Sequence, residues 1–355
     1  MKGNRFPDEL KLLDICTGSG AIPLVFQNAF HRNPNDKTLV RMVGIDISPN
    51  AIELAKANVK FVREADRKAY KTWVAENVRR MHPSKLQRLG AAALCRNRSM
   101  LSSTWGVADV FCAKGQPHFT TVMRQCHRGK GSKSGQRFDV VISNPPYVSP
   151  EEFEKTTEKS VREFEPRGAL VPEDDKGEGS EGLAEGSSVP LQDSFYPRLL
   201  EVADEVDSKV VLFEVSGKEQ AKRVVAYVQA KKWEEGILIL RDEPTGLAIG
   251  SVETDRGPVT VVGEGNMRAV LAYRDIGRSW LQPLIEEDLA KKRNRLLNRE
   301  AKRQDEQDGE AKKEPRQQSS IDRNVDEKQG EPLEREATEQ GKPDLQEYKP
   351  PGGPI

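Results

Sequence analysis

The order of apolar runs and helical stretches predicts an α/β fold, a doubly wound and mostly parallel sheet of seven strands. Two observations carry that expectation. Short apolar runs alternate with longer amphipathic segments, the pattern of strands joined by crossover helices. Several of the runs also close on residues that turn or stiffen a backbone: Thr17-Gly18-Ser19-Gly20 after the first, Asp46 after the second, Asn144-Pro145-Pro146-Tyr147 after the fourth.

The elements follow in order. Leu10 to Ile15 is a short apolar strand, and an apolar helix runs from the glycine turn to about Phe30. Val40 to Ile45 is the second strand. Ser48 has the side chain of an N-cap, with Pro49 at the first helical position and Glu53 in the first turns, so a helix follows through Ala51, Leu54, Ala55 and Val59. Val107 to Phe111 reads as the third strand and Phe138 to Ser143 as the fourth. Leu191 to Val206 and Glu219 to Lys231 are helical, separated by a strand over Lys209 to Val215. Ile237 to Arg241 and Arg268 to Tyr273 close the sheet.

Composition bounds how much of the chain this sheet can organise. Hydrophobic residues make up 36% and charged residues 32% of 355, too polar for a chain folded throughout. A domain over residues 1–285 and a charged, largely disordered tail over 286–355 are expected, with a helical extension allowed over Lys291 to Arg303. Two stretches interrupt the domain: a basic insertion over about 61–104 and an acidic, Gly/Ser-rich flexible loop over about 174–188. Lys and Arg balance Asp and Glu at 56 each, so no global field draws the chain to nucleic acid or membrane. No apolar run reaches the length of a membrane span. The four cysteines and four histidines are scattered without ligand spacing, so no metal site is expected and the thiols read as reduced. The first strand begins almost at once, so an N-terminal domain or targeting segment is expected to be absent from this chain.

The chemistry sits at strand ends. Gly18 and Gly20 let backbone approach a ligand, and the helix beyond offers free N–H groups. The turn is not a dinucleotide fingerprint, because the third position is Pro23 and Asp14 would repel a pyrophosphate. An amino-acid-bearing nucleoside, with an ammonium to meet an acid, suits it better, and S-adenosylmethionine is such a ligand. Asp46 is placed to accept two ribose hydroxyls. Asp109 is placed for the adenine amine, with Val110 against the ring. Pro145 and Pro146 fix φ near −65° and remove two donors. The loop they stiffen offers bare carbonyls, the Asn144 amide and the Tyr147 ring to a planar NH2-bearing group. On these residues alone that group is an adenine or an amide equally.

At this point the chain resembles a known family, the HemK/PrmC release-factor glutamine N5-methyltransferases. The resemblance spans about Leu10 to Tyr273 apart from the insertions. It rests on Asp14-Ile-Cys-Thr-Gly-Ser-Gly-Ala-Ile, Gly44-Ile-Asp-Ile-Ser-Pro-Asn-Ala-Ile, Ser143-Asn-Pro-Pro-Tyr-Val, Phe164-Glu-Pro-Arg-Gly-Ala-Leu and Phe213-Glu-Val. It implies a Rossmann-like class I methyltransferase dependent on S-adenosylmethionine, acting on the glutamine of a Gly-Gly-Gln loop in a release factor. Asn144, Pro145, Pro146 and Tyr147 would then be catalytic. Asp14, Thr17, Gly18, Gly20, Asp46, Ile47, Asp109, Val110 and Asn144 would hold the cofactor, and Glu165 and Arg167 would form a charged brace. The Glu-Pro-Arg segment favours the bacterial and mitochondrial branch of the family; with long insertions that suggest a eukaryotic gene, a mitochondrial enzyme is expected, otherwise a cytoplasmic one. A monomer is the default expectation.

Two departures stand out. Cys16 replaces the first glycine of the family motif, tolerable if its φ is negative. The N-terminal helical domain that contributes to release-factor binding in the family is expected to be missing from this chain. Two other readings compete: an adenine-N6 or guanine-N2 nucleic-acid methyltransferase, with the basic insertion contacting RNA, and an impaired methyltransferase fold kept as a binding module.

Overall fold

The computed structural model describes residues 6–30, 38–77, 82, 84, 103–111, 119–126, 137–173, 189–231, 233 and 236–311. Among them, nine strands form one sheet. They are β1 (Glu9–Ile15), β2 (Leu39–Asp46), β3 (Thr104–Val107), β4 (Val140–Ser143), β5 (Val210–Glu214), β6 (Gly236–Glu243), β7 (Ile249–Thr254), β8 (Gly257–Val262) and β9 (Glu264–Tyr273). Their spatial order is β3-β2-β1-β4-β5-β9-β6-β8-β7. The first five are parallel, while β9 runs antiparallel between β5 and β6.

The expected seven strands are present, and the β7–β8 hairpin widens the sheet to nine. Its sequence signal was the alternation of Val252, Val259 and Val261 with polar neighbours around Asp255-Arg256-Gly257. Gly257 takes a φ of 105°, and the Thr254 hydroxyl donates to the Gly257 carbonyl at 2.7 Å, which together close the turn. The third strand is displaced from its expected place. Thr104–Val107 pairs with β2, whereas Ala108 to Phe111 leaves the sheet, because Asp109 Oδ1 accepts the Phe111 N–H at 2.8 Å and bends the chain.

Helices cover both faces: α1 (Ala21–Phe30), α2 (Pro49–Asn77), α3 (Phe119–Cys126), α4 (Pro150–Lys155), α5 (Lys159–Phe164), α6 (Phe195–Glu205), α7 (Lys218–Ala230) and α8 (Ile276–Ala311). The strand period of two divides the apolar residues between two cores. Leu13, Ile15, Val141 and Phe213 face one side, with Phe119, Tyr196, Leu199, Val224 and Trp233. Leu10, Leu12, Val140 and Val210 face the other, where Trp280 of α8 is buried and Phe26 and Phe30 of α1 pack. Burial of each such side chain contributes about 2 kcal/mol.

Phe61 to Asn77, assigned to the basic insertion, continue α2. Helix α8 runs on past residue 286, where the tail was expected to begin, and the compact unit built on the sheet extends to Arg303. Buried Lys292 anchors it there, donating to the Pro244 carbonyl. The expected loop at 174–188 and the tail beyond 311 lie outside the described residues. Among the described residues no helix is long and apolar enough to cross a membrane.

Candidate active site

Parallel register brings the motif residues to one edge. Ile15 pairs with Ile45 on one side and with Ser143 on the other, and Asp46 pairs with Val107. The residues that follow therefore leave the sheet together, where the strand order reverses between β1 and β4, the usual ligand crevice of an open α/β sheet.

In the glycine turn, Thr17 N–H donates to the Ile45 carbonyl at 3.0 Å and Gly20 N–H to the Thr17 carbonyl at 2.9 Å. Cys16 has a φ of 59°, so the condition of a negative φ, under which it would be readily tolerated, is not met. The turn needs a left-handed residue there, and the thiol side chain bears the steric cost a glycine would avoid. Gly18 and Gly20 also have positive φ, 54° and 74°, but different surroundings. A Cβ on Gly18 would meet nothing within 4 Å, whereas one on Gly20 would lie 2.8 Å from the Trp105 ring. Gly18 keeps space open to a ligand; Gly20 makes room for the half-buried Trp105 side chain.

Asp14 is fully buried beneath this turn. Its Oδ2 accepts the Thr17 hydroxyl at 2.5 Å, while Oδ1 has no partner. Burial, with a smaller contribution from Asp46 and against the Thr17 bond, raises its pKa from 3.8 to about 7. Burial, with the Asp46 and Asp14 carboxylates beside it, pushes the Cys16 thiol well above its usual range. Asp46 accepts Gly18 N–H at 2.8 Å and Ser48 N–H at 2.9 Å, one on each oxygen. Both oxygens keep a lone pair for a further donor. Ile47 beside it is 67% exposed, an apolar surface at the strand end. Val110 is different: at 5% exposure its side chain is committed to the core. Phe111, 37% exposed and edge-to-face with Phe195 at 4.8 Å, is the available aromatic next to Asp109.

The Asn144–Tyr147 loop is anchored by its prolines, both buried, and leaves Asn144 exposed. Among the described residues the Asn144 amide has no hydrogen-bond partner. The Tyr147 hydroxyl donates to Glu214 Oε1 at 2.9 Å, and burial plus that carboxylate push its pKa up. Val148 N–H donates to the Leu170 carbonyl at 2.9 Å. Helix α4 starts directly afterwards on a capping box of Ser149 and Glu152, with Pro150 in the first turn. That Ser-Pro-Glu-Glu signal was legible and α4 was not anticipated. The charged brace is absent: among the described residues no ion pair joins Glu165 to Arg167, and the Arg167 guanidinium lies 5.6 Å from the Phe153 ring centre instead. Sequence reasoning also passed over Gln220, which donates to the Tyr147 carbonyl at 3.2 Å, since a single helical Gln carries no motif.

Five parallel strands in the order 3-2-1-4-5, followed by an antiparallel strand inserted before β6, constitute the Rossmann-like class I methyltransferase fold, and this is the fold class of the chain. Comparison with known proteins agrees with that class. The family described as Eco57I restriction-modification methylase matches residues 41–169. The chain is similar to a release factor glutamine methyltransferase of Rhodopirellula baltica, 28% identical over 160 residues, or 45% of this chain and 33% of that protein. It is also similar to the probable MRF1 mitochondrial N(5)-glutamine methyltransferase mtq1 of Schizosaccharomyces pombe, 26% identical over 230 residues, covering 64% and 55%. A Bacillus cereus release factor glutamine methyltransferase is 39% identical over 85 residues, 23% of this chain and 24% of the relative. The chain thus spans about half or less of the length of these relatives.

Proposed function

We propose that this chain transfers a methyl group from S-adenosylmethionine to the side-chain amide nitrogen of the glutamine in a release factor's Gly-Gly-Gln loop, and that it does so in mitochondria. One observation carries the reading. The exposed Asn144 amide, unpartnered among the described residues, follows Ser143, the β4 residue that pairs with Ile15, and Ile15 leads directly into the glycine turn. A planar amide held at Asn144 would thus stand beside whatever the turn binds. The names of the relatives support a protein glutamine as the target and, for mtq1, a mitochondrial setting.

The residues of the turn fit S-adenosylmethionine. Asp14 Oδ1 is an orphaned buried acceptor suited to an ammonium, Gly18 leaves open space, and Asp46 retains acceptor capacity for ribose hydroxyls. Ile47 and Phe111 offer apolar surface for a base, with Asp109 for its amine. When bound, that molecule supplies an electrophilic methyl group.

What the protein contributes is placement. An amide nitrogen is a weak nucleophile because its lone pair is delocalised into the carbonyl. The Asn144 side-chain oxygen and the Pro145 carbonyl accept the two N–H bonds of the target amide and favour a pyramidal nitrogen. Pro146 holds the loop, and Tyr147, fixed by Glu214, borders the amide. Positioning and exclusion of water supply the rate, with no base required before attack.

A nucleic-acid base methyltransferase is the second reading, favoured by the match to a restriction-modification methylase over 41–169. One assay separates them. The chain is incubated with methyl-labelled S-adenosylmethionine and, separately, a mitochondrial release factor, its Gln→Ala variant, RNA and DNA. Label on the factor that disappears with the Gln→Ala change supports the proposal; label on RNA or DNA sinks it. Asn144→Ala is expected to abolish transfer while cofactor affinity stays within a few-fold.

A further inference from the structure

The Asn-Pro-Pro-Tyr loop has an unusual mechanical problem. Two of its four residues lack an N–H, so it has few backbone donors with which to hold itself to the scaffold, and its carbonyls need donors from elsewhere. The structure supplies one from α7. Gln220 is 2% exposed, and its Nε2 donates to the Tyr147 carbonyl at 3.2 Å, to the Gln192 carbonyl at 3.1 Å and to Asp193 Oδ1 at 2.9 Å. Its Oε1 accepts the Ser216 N–H at 2.7 Å. One amide thereby joins four segments: the loop, the 3-10 turn Leu191–Asp193, the exit of β5 and the first turn of α7.

The orientation of that amide is forced. Turned over, it would set an oxygen against three acceptors and an NH2 against a donor. Asp193 holds the arrangement from below. Fully buried, it receives Arg223 on both oxygens, at 2.5 and 3.0 Å, and the Tyr227 hydroxyl at 3.3 Å. A carboxylate so buried needs these donors.

We infer that Gln220 is a positioning residue for methyl transfer: with Asp193 and Arg223 beneath it, it fixes the backbone of the Asn144–Tyr147 loop, and so the height at which Asn144 presents its amide. This rests on the methyl-transfer reading of that loop. Gln220 touches neither substrate nor cofactor in this role; it acts through the Tyr147 carbonyl. A displacement of the loop of about 1 Å is enough to cost ten- to a hundredfold in turnover.

The test uses the full chain and three variants: Gln220→Glu, Gln220→Met and the double variant Asp193→Asn/Gln220→Glu. Gln220→Glu removes the donor to Tyr147 and sets two carboxylates together, so it loses both stability and loop order. The double variant keeps one carboxylate within reach of Arg223 and regains stability, yet still has no donor for the Tyr147 carbonyl. The readouts are melting temperature, cofactor affinity by calorimetry, hydrogen exchange at the Val148 amide, and turnover on the release factor. The expected result is a double variant whose melting temperature returns, while Val148 exchange stays at least tenfold faster than in the wild type and turnover stays at least tenfold lower. Cofactor affinity should remain within twofold throughout.

Recovery of exchange protection and turnover together with melting temperature would make the role purely structural and overturn the inference. So would unchanged exchange in Gln220→Met, the variant to read if Gln220→Glu does not fold. If the wild-type chain transfers no label to any factor, the proposed function fails, and Val148 exchange alone still decides whether Gln220 holds the loop.

Discussion

Replacing Asp14 by Asn separates the two things this carboxyl does beneath the glycine turn. The group is fully buried with Oδ1 unpartnered, and burial is the main cause that raises its pKa from 3.8 to about 7. Between those values the folded chain keeps a proton that the unfolded chain has released. Stability therefore falls as pH rises through that window. At about 1.36 kcal/mol per pH unit the full penalty is roughly 4 kcal/mol, complete above about pH 7 and absent below about pH 3.8. Set against a total stability on the order of 5–15 kcal/mol, this is a large local cost. Asp14→Asn keeps an acceptor for the Thr17 hydroxyl and carries no charge to desolvate, at the expense of a buried NH2 worth about 1–3 kcal/mol.

Urea unfolding at pH 5 and pH 8 should show the variant gaining on the wild type by about 3 kcal/mol between the two, since most of the window lies between them. Cofactor binding should move the opposite way, weakening at least tenfold in the variant. Wild-type binding near pH 6 should release a proton, read by calorimetry in buffers of different ionisation enthalpy, because an ammonium beside Asp14 favours the carboxylate. An identical stability difference at pH 5 and pH 8 would refute the buried-carboxyl argument. Unchanged cofactor affinity would refute the site assignment alone.

The two turn glycines should separate in the same pair of assays. Gly18→Ala should cost about 1–2 kcal/mol from its positive φ and weaken the cofactor about tenfold or more, and Gly20→Ala should cost about 1–3 kcal/mol beyond that through the Trp105 contact. Cys16→Gly should stay within about 1 kcal/mol of the wild type, because relief of the left-handed strain offsets the extra freedom of the unfolded chain, whereas Cys16→Val should lose about 2 kcal/mol by thermal melting. Tyr147→Phe should lower stability by about 1 kcal/mol through its lost bond to Glu214, and reduce turnover without altering cofactor affinity. Equal turnover in Tyr147→Phe would leave the hydroxyl with no part in holding the loop.

Much of this was legible along the chain because period and spacing are local properties. Apolar runs ending in Gly18, Asp46 and Asn144 announced parallel strands with chemistry at their carboxyl ends, and Ser48-Pro49 announced the start of α2, where the Ser48 hydroxyl accepts the Ala51 N–H at 3.3 Å. The β7–β8 hairpin and the α4 capping box carried local signals of the same kind that went unread. The displaced third strand had no such signal, since the apolar run Val107 to Phe111 looks like a strand until the Asp109 side chain takes the Phe111 N–H.

Contacts between distant segments are another matter. That Gly20 serves Trp105 while Gly18 serves open space, that Cys16 sits at a φ of 59°, and that Val110 is spent on the core all depend on which residues packing brings together. The charged brace failed for the same reason: Arg167 found the Phe153 ring, not Glu165. Order along the chain, with the twofold strand period and the stiffness of two prolines, is enough to specify a sheet and the edge where its loops meet. Which acid loses its water, and which distant glutamine holds a loop short of backbone donors, is decided only when segments such as Tyr147 and Gln220, 73 residues apart, are packed into van der Waals contact, because desolvation and hydrogen-bond satisfaction are properties of that packing.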